Sequence, residues 1–182
     1  MKTIRFLLVA VFSTMAVAVQ AQPASADEIL SKAIAEAARQ DKKVMLIFHA
    51  SWCGWCHKMD TSLNDIAVKK FFDDRFVITH VTVLESKGKE YLENPGGKAL
   101  MEKYNGKNNG IPYWVIFDSK GTMLADSRAM VREPDGTERA YNVGCPASRN
   151  EVNYFISVLI KTTNLSADQL DIISKRFREN EN

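Results

Sequence analysis

Two cysteines stand three residues apart between an apolar run and a segment with the pattern of a helix. Cys53 and Cys56 follow the run 44–48 and open the segment 54–63. A helix N-terminus offers unpaired N–H groups and the positive end of the helix dipole, and both favour a thiolate over a thiol. We expect Cys53 to be the more reactive thiol and Cys56, one turn deeper, the more buried one. The arrangement suits dithiol redox chemistry, although half of a zinc site or an inert structural pair also contains C-x-x-C.

Residues 1–21 have the pattern of a signal peptide. Two basic residues, Lys2 and Arg5, precede an apolar stretch that ends in a small-residue cleavage site at Ala21. The stretch is shorter than the roughly 20 residues that a membrane span needs, and no later stretch approaches that length. We therefore expect export, to the bacterial periplasm or outside the cell, with no stable membrane span after the signal is removed. Cleavage a few residues later and an uncleaved anchor both stay open.

The charge balance argues against a nucleic-acid partner. The chain has 24 Lys and Arg residues and 22 Asp and Glu residues. Two of the basic residues lie in the signal segment, and no Lys/Arg cluster alternates with aromatic residues. Residues 22–182 are long enough to form a single domain with a full core. Three cysteines are too few for a fold that is held together by disulfides, so Cys145 needs its own explanation.

Hydrophobic periodicity predicts helices and strands in alternation. The continuous apolar run 44–48 is typical of a parallel strand that is covered on both faces. Serines followed three residues later by Glu or Gln predict helix N-caps at Ser25, Ser148 and Ser166. The pattern further predicts helices over 54–63 and 98–104, one helical turn near 89–93, and a short helix capped by Asn64 or Asp65. It predicts strands over 76–84, 111–117 and 122–126. The segment 127–147 is predicted to be irregular, and the polar tail after the last helix is predicted to be frayed.

At three places the chain resembles the thioredoxin superfamily, in particular its exported bacterial members of the thiol:disulfide interchange type. The segment 50–56, Ala-Ser-Trp-Cys-Gly-Trp-Cys, matches the family's strand-to-helix active site. Gly110-Ile111-Pro112 resembles the loop with a cis proline that faces the disulfide. Val143-Gly144-Cys145 is similar to the substrate-contacting loop before the last helix. The resemblance covers most of the chain by order of elements.

The resemblance implies a fold and a set of site residues. It implies an α/β, thioredoxin-like three-layer fold with a central mixed sheet flanked by helices. Residues 22–182 would form a single domain, with a core of about 29–162 and an additional C-terminal helix of about 166–179. Cys53 would attack a substrate disulfide and Cys56 would resolve the mixed disulfide. The residues expected to contact a protein substrate are Trp52, Gly54, Trp55, Ile111, Pro112, Val143, Gly144 and Cys145.

The resemblance also implies an exported thiol–disulfide oxidoreductase without a metal or an organic cofactor. Its partners would be protein thiols and disulfides, with a membrane or periplasmic reductase upstream. Trp55 brings no positive charge to the Cys53 thiolate, so we expect a reductase or isomerase more than an oxidase. His57, just outside the pair, could supply such a charge or be exposed and incidental.

Two positions depart from the family pattern in the strands beside the dithiol. Thioredoxin has a buried aspartate in the strand before its active site, thought to take the proton of the resolving thiol, and here the matching residue is Ile47. The lysine near that aspartate is matched by His80, which is either a structural residue or a base. The group that deprotonates Cys56 is therefore open.

Cys145 has two interpretations. A free cysteine is commonly a small buried hydrophobe. If the loop match holds, its thiol would instead lie near Cys53 on the substrate-facing rim.

Two other functions compete with catalysis. The chain could be a non-catalytic binding or chaperone-like module that uses an aromatic rim of Trp52, Trp55, Tyr113 and Trp114, although some of these are equally well explained as core. A zinc site needs about four ligands, so Cys145 or His49 would have to join the C-x-x-C-H segment.

Overall fold

A four-stranded mixed sheet forms the centre of the computed structural model, which describes residues 22–181. The strand order is β2-β1-β3-β4, with β1 parallel to β2, β1 antiparallel to β3, and β3 antiparallel to β4. The four strands are β1 (Lys43–His49), β2 (Phe76–Thr82), β3 (Tyr113–Phe117) and β4 (Met123–Asp126). The predicted mixed sheet is confirmed, and the strands predicted at 76–84, 111–117 and 122–126 are each one or two residues shorter.

Helices cover both faces of this sheet. They are α1 (Ala26–Gln40), α2 (Gly54–Leu63), α3 (Lys69–Asp73), α4 (Gly97–Lys103), α5 (Arg149–Thr162) and α6 (Ala167–Arg178), with single 3-10 turns at Glu90–Leu92 and Glu179–Glu181. Within residues 22–181, none of these helices is long and apolar enough to cross a membrane. The signal peptide predicted over 1–21 lies outside the described residues.

The two faces of the sheet bury separate hydrophobic clusters, which gives the predicted three layers. Along β1, Met45 and Ile47 point to one cluster, while Val44, Leu46 and Phe48 point to the other. The first cluster contains side chains of α2, α3, α5 and α6, and the second contains side chains of α1 and α4. Because successive residues of a strand face opposite sides, a continuous apolar run is what such a covered strand requires.

Serine caps begin three of the helices as predicted. Ser148 and Ser166 form complete capping boxes with the residues three positions on, and Ser25 accepts a hydrogen bond from the backbone N–H of Glu28. The cap predicted for the short third helix was wrong. That helix begins after Val68, without a side-chain cap, and the carboxylate of Asp65 accepts instead from the backbone N–H of Ala67.

The segment 127–147 is not irregular as expected, because it contains a β-hairpin. Strands β5 (Arg128–Arg132) and β6 (Glu138–Asn142) pair antiparallel around a turn at 133–137. Most residues of the two strands are exposed or half-buried. A ribbon of this kind lacks the alternating apolar face by which strands are recognised in a sequence.

Residues 179–181 form a 3-10 turn that packs against the core, where a frayed polar tail was predicted. The side chains of Ile173 and Phe177 in α6 are fully buried in the first cluster. After α6, the buried Asn180 contacts the active-site helix: its backbone oxygen accepts from Lys58 Nζ at 3.1 Å, and its Oδ1 accepts from Ser62 Oγ at 3.1 Å. The additional helix is therefore part of the core.

Candidate active site

The two cysteines of the C-x-x-C lie at the N-terminus of α2 and form a disulfide. Cys53 is the N-cap residue, and its Sγ accepts a hydrogen bond from the backbone N–H of Cys56 at 3.1 Å. The S–S distance is 2.03 Å. Cys56 was expected to be the more buried of the two cysteines. In the structure Cys53 is 3% exposed and Cys56 is 2% exposed, so the two side chains are buried almost equally. Both sulfurs nevertheless lie where the unpaired N–H groups of the helix favour negative charge.

The Ile111–Pro112 loop faces the disulfide. The peptide bond between Ile111 and Pro112 is cis, as predicted from the family pattern. The carbonyl oxygen of Ile111 lies 3.6 Å from Cys53 Sγ, and the Ile111 side chain packs against Ala50, Cys53 and Cys56. The first two of the three matching segments therefore meet at the dithiol.

The Val143–Gly144 loop lies against Pro112. Gly144 has a φ of +61°, and a Cβ at this position would lie 3.4 Å from the Pro112 carbonyl oxygen. Asn142, which the sequence analysis did not identify, ties the two loops together. Its Nδ2 donates to the carbonyl oxygens of Gly110 and Pro112 at 2.8 and 3.0 Å, and its Oδ1 accepts from the backbone N–H of Gly144. No sequence pattern marked Asn142, because the carbonyl oxygens of Gly110 and Pro112 that it contacts are about 30 residues away in the chain.

Two tryptophans form the exposed rim of the site. Trp52 is 56% exposed and Trp55 is 49% exposed. The indole N–H of Trp52 donates to the carbonyl oxygen of Leu84 at 2.8 Å, and Lys58 Nζ lies 4.7 Å from the Trp55 ring centroid. Between the tryptophans, Gly54 is exposed, with open space where a Cβ would project.

The other two aromatic residues considered for this rim, Tyr113 and Trp114, belong to the core. Both have no exposed surface. They occupy the start of β3, a strand that is buried along its whole length. An aromatic rim therefore consists of Trp52 and Trp55 alone among the four candidates.

Cys145 does not lie on the substrate-facing rim, which corrects one of the two interpretations of this residue. It is 5% exposed and packs in the core cluster that contains Trp114 and Ile47. Asn180 Nδ2 lies 3.4 Å from its Sγ. Burial raises the pKa of the Cys145 thiol to about 12, so at neutral pH the thiol is protonated and a poor nucleophile. The interpretation as a small buried hydrophobe fits these contacts.

An acidic residue that the sequence analysis missed supports the turn before Cys53. The Glu85 carboxylate accepts hydrogen bonds from the backbone N–H and the Oγ of Ser51, at 2.6 and 2.7 Å. Desolvation alone would raise the pKa of Glu85, but these hydrogen bonds outweigh it and the pKa is lowered. The carboxylate of Glu93 in turn accepts from the backbone N–H of Glu85 at 2.8 Å. The loop after β2 is thus joined to the active-site turn.

The departures from the family pattern lie in the layer beneath the dithiol. Ile47 is 1% exposed and apolar in its contacts, so no acid occupies this position. His80 Nε2 lies 2.9 Å from Asp60 Oδ1 on α2.

His57 is exposed, with its Nε2 3.0 Å from the carbonyl oxygen of Ser51. In the part of the chain that the structure describes, no group of three or more His, Cys, Asp or Glu side chains has an arrangement that could hold a metal ion.

The strand order and a C-x-x-C at the start of the following helix together define a thioredoxin-like protein. The family model described as the thioredoxin-like domain matches residues 30–135, more than half of the chain, and the chain belongs to this family. On this fold, the disulfide-bonded Cys53 and Cys56 make the chain a thiol–disulfide oxidoreductase.

Several solved structures are similar to this chain. A disulphide isomerase from Xylella fastidiosa Temecula1 is 25% identical, with 59% of this chain and 77% of that chain covered and a TM-score of 0.47. The DsbH oxidoreductase is 24% identical, with coverages of 84% and 95% and a TM-score of 0.40. The C-terminal domain of DsbD from Neisseria meningitidis, in its oxidised form, is 25% identical, with coverages of 57% and 84% and a TM-score of 0.42.

None of the curated proteins compared with the chain matches it. Because all three TM-scores are below 0.5, the family assignment depends on the family model and the strand order.

Proposed function

We propose that this protein is exported and that it reduces or isomerises disulfide bonds of other proteins through Cys53 and Cys56. The observation that supports this most strongly is the position of Cys53 Sγ. It lies at the N-terminus of α2, 3.6 Å from the Ile111 carbonyl oxygen and beside two exposed tryptophans. This combines a stabilised thiolate with an open surface on which a polypeptide can lie.

In the proposed reaction the reduced protein acts first through Cys53. The Cys53 thiolate attacks one sulfur of a substrate disulfide, forms a mixed disulfide and releases the other substrate sulfur as a thiolate. The Cys56 thiol then loses its proton and attacks Cys53 Sγ. The Cys53–Cys56 disulfide forms, the second substrate sulfur leaves, and two electrons have passed to the substrate. For isomerisation, the released substrate thiolate attacks a different disulfide of the substrate. The substrate thiolate freed in that exchange then attacks the substrate sulfur that is bound to Cys53, so the Cys53 thiolate leaves and no net electrons are transferred.

Seven residues around the dithiol are proposed to contact the substrate polypeptide. The backbone of Ile111 would pair with an extended segment, as a strand adds to the edge of a sheet. Gly54 leaves room for the approach, and the two tryptophans add apolar contact area. The proposed set is Trp52, Gly54, Trp55, Ile111, Pro112, Val143 and Gly144.

Electrons for continued reduction have to come from a partner, which we propose is a membrane or periplasmic reductase. The pattern of residues 1–21 supports export to the compartment in which such a partner acts. The oxidised protein would accept two electrons from the dithiol of this reductase by the same exchange in reverse.

The equilibrium potential of the Cys53–Cys56 couple tests the direction of electron flow. We expect a reversible two-electron couple at about −200 mV or lower, because no charged side chain lies between the two cysteines to stabilise the reduced thiolate strongly. The potential is obtained by titration in defined thiol buffers, with the redox state read by alkylation and mass spectrometry. A value near −120 mV, typical of the strongest oxidase, would contradict the reductase or isomerase assignment.

The alternative is a non-catalytic binding or chaperone-like module on the same scaffold. The exposure of Trp52 and Trp55 beside an open loop favours it, because large exposed aromatic side chains commonly mark contact surfaces. The two functions differ in their need for a thiol at position 53.

A further inference from the structure

Strand β2 lies at the end of the four-stranded sheet, and within residues 22–181 only one of its two edges is paired with a strand. The carbonyl oxygen of Arg75 and the N–H group of Val83 bond to backbone groups of β1, so the odd-numbered residues of this segment direct their backbone groups inward. On the outer side, the N–H and carbonyl groups of Thr82 bond to Asn94. Because the backbone groups of successive residues alternate between the two edges of a strand, the even-numbered residues direct theirs outward.

Three even-numbered residues of β2 leave their backbone groups without a hydrogen-bond partner in the described part of the chain. Phe76, Ile78 and His80 each present one N–H and one carbonyl group at the outer edge, which gives six groups. Natural sheet edges are commonly protected by a lysine, a proline or a bulge. Residues 76–82 contain neither lysine nor proline, and their register with β1 is continuous. This edge is therefore suited to pairing with another strand.

Open space flanks the outer edge of β2 on both faces of the sheet. On the side of α2 and α3, a cleft of about 270 Å³ includes Ile78 in its lining. On the side of α1, a cleft of about 570 Å³ is lined by Val77, Ile78 and Thr79, which are all half-buried. A strand that is placed beside β2 would have room for its side chains on both faces.

A second copy of the chain fits this edge because the edge is self-complementary. In an antiparallel pair with a two-fold axis at Ile78, this residue faces its own counterpart, and Phe76 faces His80 of the second copy. All six outward groups of each copy are then paired, through six hydrogen bonds. On the α1 side, Val77 would lie opposite Thr79 of the second copy, a pair of β-branched side chains that stabilises strand pairing. The same patch on both subunits is what a two-fold interface requires.

The charges on the flanking helices agree with a two-fold axis at this level. The α1 residues that line the larger cleft are spread evenly about a midpoint between Lys32 and Glu36, and the β2 residues of that cleft are centred on Ile78. The axis would therefore bring Lys32 of each copy towards Glu36 of the other. In the smaller cleft, Lys69 and Asp73 of α3 are likewise opposite charges four residues apart. Such a mixed pattern matches its own copy better than a purely acidic or basic polypeptide.

We propose that two copies of this chain associate through their β2 edges and form a continuous eight-stranded sheet around a two-fold axis at Ile78. The interface is separate from the dithiol. Ile78 pairs with Met45 of β1, and β1 continues for four more residues, roughly 13 Å, before the active-site turn. Each copy therefore keeps its own Cys53–Cys56 site, and the association does not depend on the reaction at that site.

The test is the mass of the purified protein in solution, measured by light scattering after gel filtration and by sedimentation over a range of concentrations. We expect about twice the mass of one chain. In Ile78→Lys, two lysines would face each other at the axis, and the dissociation constant of the dimer should rise about 30-fold or more. A protein that is monomeric at every concentration overturns the proposal, and so does an Ile78→Lys dimer of unchanged affinity.

The matched control is Leu124→Lys, which places the same side chain on β4, the strand at the opposite end of the sheet. Leu124 is 43% exposed, and this variant should remain as dimeric as the unaltered protein. Circular dichroism shows whether each variant is folded. Monomers in both folded lysine variants would overturn the assignment of the interface to β2.

A charge exchange on α1 keeps the proposal testable if Ile78→Lys does not fold. Lys32→Glu alone and Glu36→Lys alone would each place like charges opposite each other twice in the dimer, and each should raise the dissociation constant about 10-fold. The double variant Lys32→Glu with Glu36→Lys restores opposite charges and should recover most of the affinity. Single variants without effect, or a double variant weaker than either single one, would overturn the proposed axis.

Discussion

Replacing Cys53 with serine is expected to reduce the turnover of a protein disulfide to the rate of the uncatalysed exchange, a loss of about 10³-fold or more. The serine hydroxyl is not ionised at neutral pH and cannot form the mixed disulfide. The fold should be retained, because a serine at the N-cap position can accept the hydrogen bond that Cys53 Sγ now accepts. The measurement is the reduction of insulin with dithiothreitol as electron donor, followed by turbidity.

The matched control for this variant is Cys145→Ser, which removes the third thiol of the chain. Cys145 is buried and its pKa is raised to about 12, so this change should leave turnover within about twofold if the variant folds. Retention of full insulin reduction by Cys53→Ser would contradict the catalytic assignment. Binding of an unfolded protein by Cys53→Ser without any reductase activity in the unaltered chain would favour the binding module.

Replacing Trp114 with alanine is expected to lower the free energy of unfolding by about 3–5 kcal/mol, the range for a large buried aromatic side chain. Trp114 has no exposed surface, and its ring contacts Phe155 edge-on at a centroid distance of 5.5 Å. Its indole N–H also donates to the carbonyl oxygen of Gly144 at 2.9 Å, so the substitution leaves a buried acceptor unpaired. Urea unfolding followed by circular dichroism measures the loss.

The comparison for Trp114 is Trp55→Ala, which removes the same side chain from an exposed position. Trp55 is 49% exposed, and we expect a change of about 1 kcal/mol or less. Equal losses for the two variants would contradict the assignment of Trp114 to the core and of Trp55 to the rim. A Trp114 variant that remains folded should also bind substrate less well, because Gly144 loses the contact that holds its loop beside Pro112.

The sequence was most informative where the structure depends on residues that are close together in the chain. The apolar run 44–48 predicts a doubly covered strand because no exposed strand of a soluble domain would be apolar at every position. The serine caps at 25, 148 and 166 depend on a partner three residues away, and all three are present. The cis bond before Pro112 came from the family pattern, since proline alone only permits it.

Several contacts around the site that the sequence did not reveal are between distant residues. Asn142 and Glu85 bond backbone groups of loops about 30 residues away, and neither stands in a recognisable motif. Asn180 was expected in a frayed tail because its neighbours are polar, yet it is buried between α2 and the Cys145 loop. Cys145, which the match of Val143-Gly144-Cys145 to the family loop had suggested was at the rim, is also buried.

Cys56→Ser tests most directly whether Cys53 is the sulfur that attacks a substrate protein. Without Cys56 the mixed disulfide cannot be resolved from within the chain, so it should accumulate. The reduced variant is mixed with a disulfide-containing protein such as insulin, quenched with acid, and mapped by mass spectrometry after proteolysis. We predict an intermolecular disulfide at Cys53. No adduct, or an adduct at Cys145 in its place, would contradict the account.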